Sequence, residues 1–298
     1  MKKGTETLLL AAFALMACQG GRQNQTAVNT SSVDTAVIVN ATPATALAVQ
    51  EGMQTLTLMD GVRVTWLNDN RENHPNPPSL FPDASPDLIS ELGLEGGLES
   101  TVSAFLVETD SIRVLFDTGI GRDESQLIPH LQALGVAPED LQYLFLTHYH
   151  GDHIGGMLRD GEVAFTNAQV YAPRVEHEAW MNMPAEKNAL QVKILGAYSD
   201  RLHLFEYGDT LPGGIVPIAA IGHTPGHTAF QVGRLLIIGD LMHGAALQIP
   251  HPEICAKYDM DPDGAVEARR RILQYARTDG LVMAGMHLPA PAFIVLDE

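Results

Sequence analysis

Cysteine is scarce in this chain: of 298 residues only Cys18 and Cys255 carry a thiol. Basic residues are scarce as well, with 18 Lys and Arg against 36 Asp and Glu and a formal charge of −18. No Lys- or Arg-rich run stands out. So acidic a chain repels phosphate backbones, and nucleic acid is not an expected partner. Long apolar runs are also missing. The candidate near the N-terminus, Leu8 to Ala17, has ten residues, about half of what a membrane-spanning helix needs. No serine sits in a Gly-x-Ser-x-Gly setting, which removes the strand-turn-helix nucleophile of the serine hydrolases. What is present is ordinary for a globular protein, 45% hydrophobic and 18% charged with 27 Gly. One α/β domain of about 250 residues accommodates it. The acidity itself reads as solubility and says nothing of a substrate.

Against this background, Thr147-His148-Tyr149-His150-Gly151-Asp152-His153 concentrates three imidazoles and a carboxylate. The preceding run Tyr143-Leu144-Phe145-Leu146 reads as a short buried strand, so the cluster lies where a strand leaves the core. Imidazole with carboxylate suits divalent transition metals such as zinc, manganese or iron. Gly151 is expected to permit a sharp turn, with His148 and His150 facing one way and Asp152 and His153 another. Such a turn serves two adjacent metals better than one. Three further strand-like runs end in ligand-type residues. Ile215 to Ile221 leads into Gly222-His223-Thr224-Pro225-Gly226-His227, Leu235 to Gly239 ends at Asp240, and Leu281 to Met286 ends at His287. Open α/β architectures gather their sites at the carboxyl ends of strands.

His148-x-His150-x-Asp152-His153, followed by His227, Asp240 and His287, resembles in type, order and spacing the dinuclear set of the metallo-β-lactamase-fold hydrolases. The resemblance covers roughly residues 50 to 298. Three later stretches are similar to the branch holding methyl-parathion hydrolase-like enzymes and quorum-quenching lactonases: Gly239-Asp240-Leu241-Met242-His243, Ala246 to Pro252, and Met286-His287-Leu288-Pro289. The resemblance implies an α/β protein with four layers, an αββα sandwich whose metal site lies at strand ends. It implies two divalent ions, zinc first, with manganese, iron or cobalt as alternatives. His148, His150 and His227 would hold one ion, Asp152, His153 and His287 the other, and Asp240 would bridge them. Asp152 is also the expected catalytic residue, accepting a proton as the bound water reacts. His223 is expected to be structural or to support a ligand, and His243 to orient a ligand or line the pocket. Asp117, in Asp117-Thr118-Gly119, either braces the ligand loops as in the superfamily or is simple turn chemistry. One departure stands out. An aromatic usually follows His-Leu-Pro in that branch, and here Ala290 does, so a smaller pocket wall is expected there.

The expected function is therefore hydrolysis of lactones or related esters, small molecules attacked by a hydroxide shared between two ions. Phosphotriesterase, β-lactamase and non-hydrolytic iron-dependent chemistry are the enzymatic alternatives. A non-catalytic binding protein is the other class, and seven intact ligand positions speak against it.

Along the chain, residues 1–17 read as a signal peptide, and Leu15-Met16-Ala17-Cys18 resembles a bacterial lipobox. The expectation is an exported protein on the periplasmic side of a bacterial membrane, anchored only through lipid on Cys18, which leaves Cys255 without a disulfide partner. Residues 18–48, rich in Thr, Ser, Asn, Ala and Gln, read as a flexible linker, and 49–298 as the hydrolase domain. The oligomeric state stays open, a homodimer included. Within the domain, Leu56 to Leu67 reads as a hairpin about Asp60-Gly61. The polar segment from Asn68 to Ser100 is a candidate lid, with a helix at Pro86 to Leu92 capped by Ser85. Strands are expected at Val102–Val107, Ile112–Phe116 and Val163–Tyr171. Helices are expected at Ser125–Leu134, closed by Gly135, at Arg174–Met183, and from Asp261 to about Arg277, with Val266, Leu273 and Ala276 on one face.

Overall fold

Alternation within the strands sorts the side chains into layers, and the layers place the site. The structure, a computed structural model, describes residues 37–38 and 51–297. The signal peptide, Cys18 and, apart from Val37–Ile38, the linker lie outside the described residues. In chain order the strands are β1 Val37–Ile38, β2 Met53–Thr57, β3 Arg63–Asn68, β4 Ser103–Glu108, β5 Arg113–Phe116, β6 Tyr143–Phe145, β7 Leu158–Arg159 and β8 Glu162–Val163. They continue with β9 Gln169–Pro173, β10 Leu202–Phe205, β11 Val216–Ala219, β12 Thr228–Val232, β13 Leu235–Gly239, β14 Val282–Gly285 and β15 Phe293–Val295. The α-helices are α1 Pro86–Glu91, α2 Leu127–Ala133, α3 Gly151–Ile154, α4 Arg174–Met181, α5 Ala185–Ala197, α6 Ala245–Gln248 and α7 Pro262–Asp279.

Seven strands form one sheet in the order β10-β9-β6-β5-β4-β3-β2, and six form a second in the order β1-β15-β14-β13-β12-β11. The sheets meet through aromatic side chains: Phe105 with Phe293, and Phe116 and Phe145 with Phe230. On the first sheet, Phe105, Val107 and Phe116 join that inter-sheet core. Their neighbours Ala104, Leu106 and Leu115 turn the other way, into a second core shared with Leu131 of α2 and Ile194 and Leu195 of α5. In β13 every residue is buried, Leu235 to Gly239, as a strand covered on both faces requires. Ile272, Leu273 and Ala276 of α7 belong to the same apolar cluster as β13. Helix, sheet, sheet and helix thus make the four expected layers.

Local signals explain the segment ends. Asp60-Gly61 closes the β2–β3 hairpin, with Gly61 N–H donating to Leu58 O and Gly61 at φ 86°. Ser85 accepts from Leu88 N–H to cap α1, and Asp261 accepts from Gly264 N–H to cap α7, each with Pro at the first turn. On α7 the buried face is Ala265, Ala268, Arg269, Ile272, Leu273 and Ala276, and Val266 is only half-buried. The strand expected over Val163–Tyr171 is displaced. Val163 ends the two-residue β8, a turn follows in which Ala168 N–H donates to Phe165 O, and β9 begins only at Gln169. Thr166 and Asn167 interrupt the apolar pattern there, and β9 pairs parallel with β6.

The segment from Asn68 to Ser100 is a packed wall. Leu80, Phe81, Ile89 and Leu98 form their own buried cluster with Leu247 of α6, Ile254 and Ala256. Among the described residues no helix is long and apolar enough to cross a membrane.

Candidate metal centre

Four strand ends meet at one carboxylate. Asp240 follows β13 directly, and Gly239 makes that possible: it sits at φ 53°, and a Cβ there would fall 2.4 Å from His227 Nε2. Asp240 is 2% exposed, and histidines surround it. Its Oδ2 lies 3.2 Å from each of His223 Nε2, His243 Nε2 and His287 Nε2, and 3.7 Å from His148 Nε2. Its Oδ1 lies 3.1 Å from His153 Nε2.

The loop beyond β6 supplies His148, His150, Asp152 and His153. His148 Nε2 is 3.0 Å from His150 Nδ1, which is 2.9 Å from His223 Nε2. Asp152 Oδ2 is 3.3 Å from His287 Nε2. The chain turns here from extended His150 into α3, and Gly151 makes the turn without a positive φ. Gly151 also provides room, since a Cβ would come within 3.1 Å of Leu190. The ligand atoms of His148, His150, His223 and Asp240 all lie within 4.8 Å of one another, as do those of Asp152, His153 and His287.

One residue is corrected. His227, expected among the ligands, has both ring nitrogens engaged. Nδ1–H donates to Ala220 O at 2.9 Å, and Nε2 accepts from Asp240 N–H at 3.0 Å. His223 stands in the cluster where His227 was expected. The physical reason is position. His223 lies just beyond the carboxyl end of β11, as the other clustered residues lie beyond theirs, whereas His227 immediately precedes β12 and its ring is fixed as a strut between two strand ends. The six remaining expected residues are brought together.

His153, His287 and His223 are each aimed by a partner on the other nitrogen, the arrangement that fixes tautomer and ring orientation around metals. Asp117 Oδ2 accepts from His153 Nδ1–H at 2.7 Å, and the same carboxylate accepts from Thr147 N–H and Oγ1–H. Asp117 is both of the things expected of it, since it also makes the turn, at φ 57°. His287 Nδ1–H donates to Thr101 O at 2.8 Å. His223 Nδ1–H donates to Asp259 Oδ1 at 3.0 Å, and Asp259 is in turn held by the buried guanidinium of Arg269 at 3.2 Å. Glu176, fully buried, joins the two ligand loops: Oε1 accepts from Tyr149 N–H and Trp180 Nε1–H, and Oε2 from Gly226 N–H. Sequence reasoning missed Glu176 and Asp259. Nothing near either in the chain signals a role, because their partners lie 27 and 50 residues away for Glu176 and 36 away for Asp259.

The donor set fits divalent metal. His153 Nε2 and Asp240 Oδ1 are buried and adjacent, yet neither makes a hydrogen bond. Such orphaned atoms are costly unless they share a cation. Electrostatics agree. Burial holds His148 well below its ordinary pKa and brings His150 to about 3, leaving neutral imidazoles. Burial opposes the charged form of His287 too, but Asp240 and Asp152 raise it to about 10, and His153 is likewise raised. These carboxylates favour positive charge on the histidines around them, and His223 is raised as well, by Asp240 and Asp259 against its burial.

A cavity of about 500 Å³ opens onto this cluster. His243 lines it, its ring stacked on His287 with centroids 5.1 Å apart. Trp180 is buried beside His150. Ala290 is exposed and does not line the cavity.

A family model described as the metallo-beta-lactamase superfamily matches residues 97–287. Among curated relatives, an N-acyl homoserine lactonase of Bacillus thuringiensis is 28% identical over 171 residues, 48% of this chain and 64% of that protein. A hydroxyacylglutathione hydrolase of Methylobacillus flagellatus is 29% identical over 126 residues, 41% and 42% of the respective chains. The match thus spans less than two thirds of the length of these relatives. Among solved structures, the hydrolase AbOPH of the beta lactamase superfamily is similar at 28% identity and a TM-score of 0.73. The dizinc quorum-quenching lactonase AidC, with a homoserine product bound, is similar at 25% and 0.74. Each structure covers 83% of this chain, and 97% of each is matched.

Proposed function

The chain belongs to the metallo-beta-lactamase superfamily, and from that premise we propose that it is a two-metal hydrolase of lactones or related esters. Asp240 carries the reading. It lies between a trio of His148, His150 and His223 and a trio of Asp152, His153 and His287, with Oδ2 toward His223 of the first and His287 of the second, and Oδ1 toward His153. In this reading each trio would hold one ion, zinc first, and Asp240 would be a ligand the two trios share. When bound, two such ions supply Lewis acidity, which ionises a coordinated water near neutral pH and polarises the oxygen under attack. The chain's own residues do the rest. Asp117, Asp259 and the Thr101 carbonyl keep His153, His223 and His287 in one tautomer and orientation. Asp152 faces the cavity and is held ionised, against its burial, by His153 and His287. It is the acceptor for the proton given up by the attacking water. The lactonase among the relatives and the lactonase among the structural neighbours support lactones as the first substrate class to test.

The test is a panel of lactones, aryl esters, phosphotriesters and β-lactams on metal-loaded protein. We expect turnover of lactones and aryl esters that rises through roughly pH 5–7 and then levels off. Protein carrying two ions that hydrolyses none of them, or an acyl group trapped on a side chain, contradicts the proposal. Export is proposed on sequence grounds alone. Cys18→Ser should release the protein from membranes, and a mature mass that still includes residues 1–17 contradicts it.

A further inference from the structure

The wall of the cavity bears on what can enter it. Its volume of about 500 Å³ suits a compact molecule. Asn70, Glu72, His74 and Asn76 alternate along one segment and all line it, while Asp69 before them and Arg71 among them line a different groove. Ser100 and Thr101 continue the polar wall, and Val102 and Tyr258 are its apolar members. Among the described residues no Lys or Arg lines the cavity. Glu72 is exposed and makes no hydrogen bond or ion pair with another described residue.

We propose that the site takes uncharged lactones or esters without rewarding a longer alkyl chain on their non-reacting part, and that Glu72 turns away substrates carrying a carboxylate there. This rests on the two-metal hydrolase reading. In an apolar tunnel each methylene contributes about 0.8 kcal/mol, a gain of about fourfold in kcat/KM. Here an alkyl chain would cover amide, imidazole and carboxylate groups and strip their water without replacing it, which cancels the gain. Positive charge from two ions would lie at the reacting end only. A second anionic group, remote from the reacting carbonyl, meets no cation and faces Glu72.

The experiment compares butanoyl, hexanoyl, octanoyl and decanoyl homoserine lactones on metal-loaded protein, and an acyl chain ending in a carboxylate with its methyl ester. The expected result is a kcat/KM that changes less than about twofold across the length series, against about fourfold per methylene for an apolar wall. The carboxylate should be at least about tenfold poorer than its ester, and Glu72→Gln should narrow that gap several-fold. A rate that climbs with each methylene, or a carboxylate as good as its ester, overturns this inference and leaves the hydrolase reading standing. Silence across the series with two ions bound sinks the hydrolase reading. Calorimetric titration of γ-lactam analogues of the same lengths then still tests the wall. Affinity independent of length supports it, and affinity rising with length, or no binding at all, overturns it.

Discussion

The ligand loop after β6 and the one after β11 are built from the same residue types, and they use them differently. In the first, His148, His150 and His153 all turn a nitrogen toward Asp240 or its neighbours. In the second, His223 does so and His227 does not. Burial does not separate the two, since His223 is 2% and His227 0% exposed. The partners of the ring separate them. His153, His223 and His287 each give one N–H to an oxygen acceptor and keep the other nitrogen for the cluster. His227 spends one nitrogen on Ala220 O and the other on Asp240 N–H. Spacing in the sequence therefore marks candidates, and the second nitrogen's partner decides between ligand and strut.

The most damaging test of this account removes the carboxylate both loops face. Asp240→Ala should lower turnover at least about a thousandfold, roughly 4 kcal/mol in the barrier, with loss of at least one ion by elemental analysis. Next in size, Arg269→Leu leaves Asp259 buried without its cation. A loss of about 3–5 kcal/mol in urea unfolding is expected. Asp117→Asn and Asp259→Asn compare the supports of the two loops directly. Each should weaken metal binding about 10–100-fold while leaving the fold intact, measured by chelator competition, and equal indifference to both would remove the distinction drawn here. Glu176→Gln keeps one acceptor and should cost about 1–3 kcal/mol in unfolding. Burial holds the Glu176 carboxyl above its ordinary 4.5. A carboxyl raised on folding favours the folded state most below its unfolded pKa and loses that contribution as pH rises through the folded one. The deficit of Glu176→Gln against the parent should therefore shrink as pH rises from about 4 toward 7. Smallest of all, Cys255→Ala, at a buried free thiol, should leave turnover within about twofold and stability within about 1–2 kcal/mol.

Much of this was legible in the chain because the signals were local. Asp60-Gly61 dictates a hairpin, Ser85-Pro86 and Asp261-Pro262 dictate helix starts, and alternation in β4 sorts Phe105 from Leu106. Strand ends carrying His or Asp located the centre. The parts that were not legible depend on residues far apart in sequence. Glu176 is recognised only once it is seen to hold Tyr149 and Gly226, and Asp259 only beside His223 and Arg269. The packing of the segment from Asn68 to Ser100 was not legible because Leu80, Phe81, Ile89 and Leu98 are scattered, and their partners on and beyond α6 come more than 140 residues later. The exchange of His227 for His223 had one local clue. Of the two, His223 is the one just past a strand's carboxyl end.

Metal content of the parent, His223→Ala and His227→Ala, loaded alike and measured side by side, tests the account most directly. The account predicts two ions in the parent, at most one in His223→Ala, and two in His227→Ala, with a stability loss of about 1–3 kcal/mol confined to the last. Two ions retained in His223→Ala and one lost from His227→Ala would contradict it.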